Sequence, residues 1–246
     1  MANGSRFIRP CETPWACLTA NSAIIRAHDV RLRHTVRMTV PRPSLEVRGL
    51  TCLRGESVLF EQLDFSLSVG EALHVMGANG SGKTSLLRIV AGLMLADEGE
   101  IYWRGQPLER QRSAFQAQLG YLGHHLGLKA ELSVRENLKA SLGLQGLRLD
   151  DNRLMAALAG FDLSERADLP VRALSAGQRQ RVALARLLLL EAELWILDEP
   201  LTALDGPGVA QLERLAEAHL QAGGMLLMTS HQAVQLGPHL RTLSLS

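Results

Sequence analysis

Cysteine is scarce in this chain, and the three present (Cys11, Cys17, Cys52) fit neither a disulfide framework nor a zinc site. No C-x-x-C pair occurs, so reduced thiols in a reducing compartment are expected. Long apolar runs are missing too. A membrane-spanning helix needs roughly 18 or more consecutive apolar residues. The best run here, 182–190, is broken by Arg186 and has only the length of a buried helix. If the protein works at a membrane, something else must hold it there. Net charge is nearly absent: 26 Lys and Arg against 25 Asp and Glu give +1, so no global field marks nucleic acid as a partner.

The charge is unevenly placed. Residues 1–40 carry six Arg against Glu12 and Asp29, a net +4, which leaves −3 on the remainder (+1 minus +4). This stretch has no sustained periodicity and is broken by Pro10 and Pro14. An Arg-rich, acid-poor leader fits an organelle transit peptide, and equally a disordered basic tail. The third reading, preferred here, is a start assigned too early, with Met38 opening the folded part.

What is present is the pattern of a folded α/β domain over 41–246, with enough apolar content (46%) for one sizeable core. Short strands are expected at 45–50, 57–60 and 65–69, then an apolar strand at 72–76 that ends in a glycine-rich loop. A helix follows from Lys83 to Gly92, with strands at 100–103 and 119–122. Residues 133–168 read as helices, the first opening on the cap pattern Ser133-x-x-Glu136. Helices at 178–190 and 209–222 flank a buried strand at 194–197, and strands at 225–229 and 240–245 close the chain. Strands alternating with helices indicate a parallel core. The antiparallel start and the helical stretch at about 125–178 indicate a β-subdomain and a helical subdomain.

Gly77-Ala78-Asn79-Gly80-Ser81-Gly82-Lys83-Thr84 fits G-x-x-x-x-G-K-[ST] without deviation. The glycines let the backbone curl so that several N–H groups face one anion, and the following helix adds its N-terminal dipole. Lys83 would reach the β- and γ-phosphates, Thr84 would ligate Mg²⁺, and Ser85 completes the ATP-binding run. Leu194-Trp195-Ile196-Leu197-Asp198-Glu199-Pro200 reads as a central strand with two acids where it emerges. Asp198 is placed to hold Mg²⁺, and Glu199 to polarise the attacking water as general base.

In Leu174-Ser175-Ala176-Gly177-Gln178, a serine and a glycine cap a second helix N-terminus, another anion-binding arrangement. One nucleotide has little use for two such helix ends unless they come from different subunits. The segment closely resembles the signature motif of ABC ATPases, usually Leu-Ser-Gly-Gly-Gln, with Ala176 in third place. Leu204-Asp205 resembles that family's D-loop, and His231 in Thr229-Ser230-His231 its switch histidine. The resemblance covers 45–246 and implies a RecA-like parallel core with antiparallel and helical subdomains. It also implies ATP and Mg²⁺ clamped in a homodimer, where the phosphate loop, Asp198, Glu199 and His231 of one subunit face Ser175 and Gly177 of the other.

Two positions depart from the family pattern. No aromatic stands near Leu53-Arg54-Gly55, where one usually stacks on adenine, so either the Arg54 guanidinium or the Leu53 side chain takes that contact. The position that normally holds the Q-loop glutamine is His124, followed by His125. A histidine there can still donate or accept, and it introduces pH dependence near neutrality; the alternative is two surface histidines in a loop. The stretch from Gly123-His124-His125 to Leu132-Ser133-Val134-Arg135-Glu136-Asn137-Leu138 resembles the ATP-binding subunits of bacterial cytochrome c maturation (the CcmA type, haem exporter ATPases). That resemblance implies an ATPase that drives haem export or release from its carrier, docked by its helical region on integral membrane subunits at the cytoplasmic face of the inner membrane. Neither nucleic acid nor haem is expected to bind this chain directly. An ABC exporter ATPase for another substrate, or a soluble ABC ATPase acting on an assembly scaffold, are the alternatives.

Overall fold

A computed structural model describes residues 44–55 and 57–245; the readings of 1–40, of Cys11 and of Cys17 lie outside the described residues. Two sheets organise the described residues. In one, β1 (Leu45–Arg54), β2 (Ser57–Leu67), β4 (Glu98–Trp103) and β5 (Gln106–Pro107) pair antiparallel in the order β2-β1-β4-β5. In the other, β3 (Ala72–Gly77), β6 (Leu119–Leu122), β7 (Leu194–Asp198), β8 (Met225–Thr229) and β9 (Leu240–Leu245) run parallel in the order β6-β7-β8-β3-β9.

Every residue of β7 and β8 is buried, as their unbroken apolar runs require of central parallel strands. The two-residue pleat sends alternate side chains to separate cores. Leu73, Val75, Leu194, Ile196, Met225 and Leu227 share a core with the antiparallel sheet, α1 (Lys83–Val90) and α2 (Arg112–Gln116). Trp195, Leu197, Leu226 and Met228 face the helices α3 (Val134–Leu144), α4 (Asp151–Gly160), α5 (Ala176–Leu190) and α6 (Gly206–Gln221). In α6 the buried Leu212, Ala216 and Leu220 recur at the four-residue spacing that lines one helix face.

Several boundaries move from their expected places. The strands expected at 57–60 and 65–69 are one strand, because the polar residues between them lie on its exposed side rather than in a turn. β2 bends at Gln62 (φ 49°), whose N–H donates to Thr51 Oγ1 at 3.2 Å. α6 starts three residues before its apolar pattern does, since Asp205 caps it by accepting from the Gly208 N–H and Pro207 suits the first turn. α3 begins as expected: the Ser133 and Glu136 side chains cap each other's backbone N–H groups.

One buried contact makes stability depend on pH. The His219 ring stacks on Trp195, with centroids 3.9 Å apart and planes within 5°. Nε2 donates to Met225 O at 3.2 Å. The ring also fills the space beside Gly224, where a Cβ would meet it at 2.2 Å. Burial depresses this imidazole from 6.5 to about 4, so the fold accepts its neutral form. Between those values the unfolded chain binds a proton that the folded chain does not, and stability falls as pH falls through that window. Denaturant titrations should show about 2 kcal/mol lost between pH 7 and pH 5 from this group. His219→Gln should flatten that difference, and an unchanged slope would contradict the assignment.

Candidate active site

The phosphate-loop sequence lies where β3 leaves the sheet and α1 begins. Gly77 and Gly82 have φ of 156° and 92°, and both are crowded. A Cβ on Gly77 would stand 2.5 Å from Ser81 Oγ and 2.7 Å from the Leu245 carbonyl; one on Gly82 would stand 3.0 Å from the Phe60 ring. The loop is therefore gripped by β9 on one side and β2 on the other. Lys83, only 8% exposed, donates from Nζ to the carbonyls of Gly77 (2.8 Å) and Ala78 (2.9 Å), which holds its charge inside the loop. Ala78, Asn79 and Gly80 form the rim, Ser85 is half-buried in the first turn of α1, and Ser81 Oγ is buried without a partner among the described residues. A cationic head, glycine-lined curvature and an unpartnered hydroxyl at a helix N-terminus suit a polyphosphate.

At the same edge of the sheet, Thr84 Oγ1 donates to Asp198 Oδ2 at 2.9 Å. Asp198 is 4% exposed and ends β7 beside Thr229 of β8. Two hard oxygen groups next to the phosphate loop match what Mg²⁺ takes from a protein when phosphates and water supply its other ligands. The chain then turns left-handed at Glu199 (φ 51°), directing that side chain away from the strand line. The His231 N–H donates to Glu199 Oε2 at 3.2 Å. His231 Nε2 lies 3.4 Å from Oε1, close enough for an ion pair but not aligned as a hydrogen bond, so Oε1 has no donor among the described residues. A carboxylate with one anchored and one unpartnered oxygen can accept a proton from a water.

The structure thus brings Lys83, Thr84, Asp198, Glu199 and His231 together, but not every expected residue. His124 is exposed, its ring edge-on to His125 at a centroid distance of 5.4 Å, and among the described residues no hydrogen bond ties it to Asp198 or Glu199. Its loop is set from both ends. Gly123 lies under the Tyr121 ring, where a Cβ would meet the ring at 2.8 Å. The buried Asn137 amide accepts from the Lys129 N–H (2.7 Å) and donates to the Lys129 carbonyl (2.9 Å). Leu174, Ser175, Ala176, Gly177 and Gln178 form the cap of α5, in which Ser175 and Gln178 bond reciprocally. No hydrogen bond joins this cap to the phosphate loop among the described residues. It is tied instead to the loop that follows Glu199. Gly177 leaves room for Ala203 O, which a Cβ would meet at 2.7 Å. Gln180 donates to Pro200 O at 2.8 Å, and Arg181 pairs with Asp205 at 2.8 Å, which holds that carboxyl below its usual range.

Leu53 and Val58 are directly opposite across the β1–β2 hairpin and are 46% and 56% exposed. The hairpin reaches the phosphate loop through Phe60, so an exposed aliphatic pair that includes Leu53 stands near the position where the family pattern has an aromatic. Thr229, Tyr121, Asn137 and Gln180 were also missed. Each is an ordinary core or helix residue in sequence, and only its partners reveal its position.

The ABC transporter family profile matches residues 60–202. A cytochrome c biogenesis ATP-binding export protein, CcmA, from Methylococcus capsulatus is 52% identical over 80% of this chain and 96% of its own length. The protein of the same name from Haemophilus ducreyi is 52% identical over 82% of this chain and 95% of its own. Among solved structures, a putative ABC transporter ATP-binding protein from Pyrococcus furiosus superposes with a TM-score of 0.71 at 26% identity, covering 81% of this chain and 96% of the other.

Proposed function

We propose that this chain, which belongs to the ABC transporter family of ATPases, is the ATP-hydrolysing subunit of an export complex for c-type cytochrome maturation, driving haem export or release from its carrier. The observation that carries this reading is identity at about half of all positions across nearly the full length of curated cytochrome c biogenesis export proteins.

The geometry supports a division of labour. Residues 77–85 bind the triphosphate, with Lys83 moving its ammonium from the Gly77 and Ala78 carbonyls to phosphate oxygens. Thr84 and Asp198 would hold Mg²⁺, which would neutralise charge on the phosphate oxygens. Glu199 takes the proton of the attacking water at Oε1, and His231 orients Glu199 and meets the γ-phosphate. In keeping with the family resemblance, the Leu174–Gln178 cap serves the phosphate loop of a second copy, and the working unit is a homodimer. Coupling of Gly177, Gln180 and Arg181 to the Pro200–Asp205 stretch links one site to the other.

No helix among the described residues is long and apolar enough to cross a membrane. In this reading, integral membrane subunits hold the chain at the cytoplasmic face of the inner membrane, docking on the helical subdomain (about 125–178) near His124. Deleting this protein is expected to abolish all c-type cytochromes, read as covalent haem on denaturing gels, while other haem proteins keep their spectra. A deletion strain with intact c-type cytochromes overturns the reading.

A further inference from the structure

We infer that Thr229 is a positioning residue for ATP hydrolysis, whose hydroxyl sets the metal-side carboxylate and the general base in register. Three observations converge on one atom. Thr229 Oγ1 donates to Asp198 Oδ1 at 2.8 Å, and it accepts from the Glu199 N–H at 2.9 Å. The side chain is 0% exposed. Its strand, β8, lies between the strand that ends in the phosphate loop and the strand that ends in Asp198.

The consequence follows from counting donors and acceptors. A hydroxyl has one proton and two lone pairs. Its proton is committed to Asp198 Oδ1 and a lone pair to the Glu199 N–H. Asp198 Oδ2 is already fixed by Thr84, so the second bond locks the rotation of the carboxylate. The bond to the Glu199 N–H falls at the residue with φ 51°, a left-handed conformation that non-glycine residues seldom adopt without support. That conformation aims the Glu199 carboxylate toward His231. A valine in the same place fills the same volume but provides neither bond. Fully buried and bonded to both acids, Thr229 acts through Asp198 and Glu199.

The inference rests on the roles given above to those two acids, and the test separates the two. Purified full-length Thr229→Val and Thr229→Ser are compared with the parent protein and with Glu199→Gln for ATP turnover, KM and Mg²⁺ affinity. Thr229→Val is expected to lower kcat about 10- to 50-fold with KM for ATP changed less than about two-fold, as for misplaced catalytic groups. It should also bind Mg²⁺ several-fold more weakly in equilibrium titrations with a non-hydrolysable ATP analogue, because Asp198 is freed to rotate. Thr229→Ser, which keeps the hydroxyl, should stay within about three-fold of the parent. Should Thr229→Val not fold, Thr229→Ala replaces it with the same expectation. Parental kcat and Mg²⁺ affinity in Thr229→Val, or a Thr229→Ser as slow as Thr229→Val, overturns the inference. If Glu199→Gln itself turns over at the parental rate, it is the reading of the acids that fails.

Discussion

Glu199→Gln is expected to bind ATP as tightly as the parent protein and to hydrolyse it about 100-fold or more slowly, as loss of a general base requires. The substitution keeps the side chain's size, leaves an oxygen to accept from the His231 N–H, and does not touch the backbone N–H that bonds to Thr229. What it removes is the negative charge of a carboxylate whose buried Oε1 has no hydrogen-bond donor among the described residues, and with it the base proposed to take the proton of the attacking water. With hydrolysis blocked and binding intact, an ATP-bound dimer should accumulate, visible as a two-fold rise in mass by size-exclusion chromatography with ATP present. Turnover at the parental rate would remove Glu199 from the reaction.

Lys83→Ala acts at the other end of the site and should fail at an earlier step. The ammonium of Lys83 is held by two loop carbonyls and is almost fully buried. Without it, those carbonyls would face the triphosphate with no intervening positive charge. Losing one partner of a buried charge contact costs about 3 kcal/mol, or roughly 100-fold in affinity. Equilibrium binding of a fluorescent ATP analogue measures this directly, and undiminished affinity would contradict the phosphate-loop assignment. The two variants are distinguishable because one loses binding and the other only turnover.

Much of this was legible in sequence because the chemistry demands particular residues at fixed local spacing. The phosphate loop is eight consecutive residues whose glycines, lysine and threonine act through their own backbone turn. The acids at 198 and 199 follow an unbroken apolar run, and the Ser175–Gln178 and Ser133–Glu136 pairs are caps that close within one helical turn. Such features need no knowledge of what lies across the fold. The start of α6 was misjudged because Asp205 and Pro207 precede its apolar stripe, and the break in β2 because polar residues on an exposed strand edge look like a turn.

In a chain with little cysteine, little net charge and no long apolar run, the local motifs alone determined the fold class and the nucleotide chemistry. Tertiary structure alone decided how those motifs cooperate. It placed Thr84 against Asp198 from 114 positions away and Thr229 against Glu199 from 30. It tied the α5 cap to the loop after Glu199 and left His124 exposed rather than bonded to the acids. The physical reason is that parallel strands bring together residues separated by whole helices, and no local pattern records which residues meet at the sheet's edge.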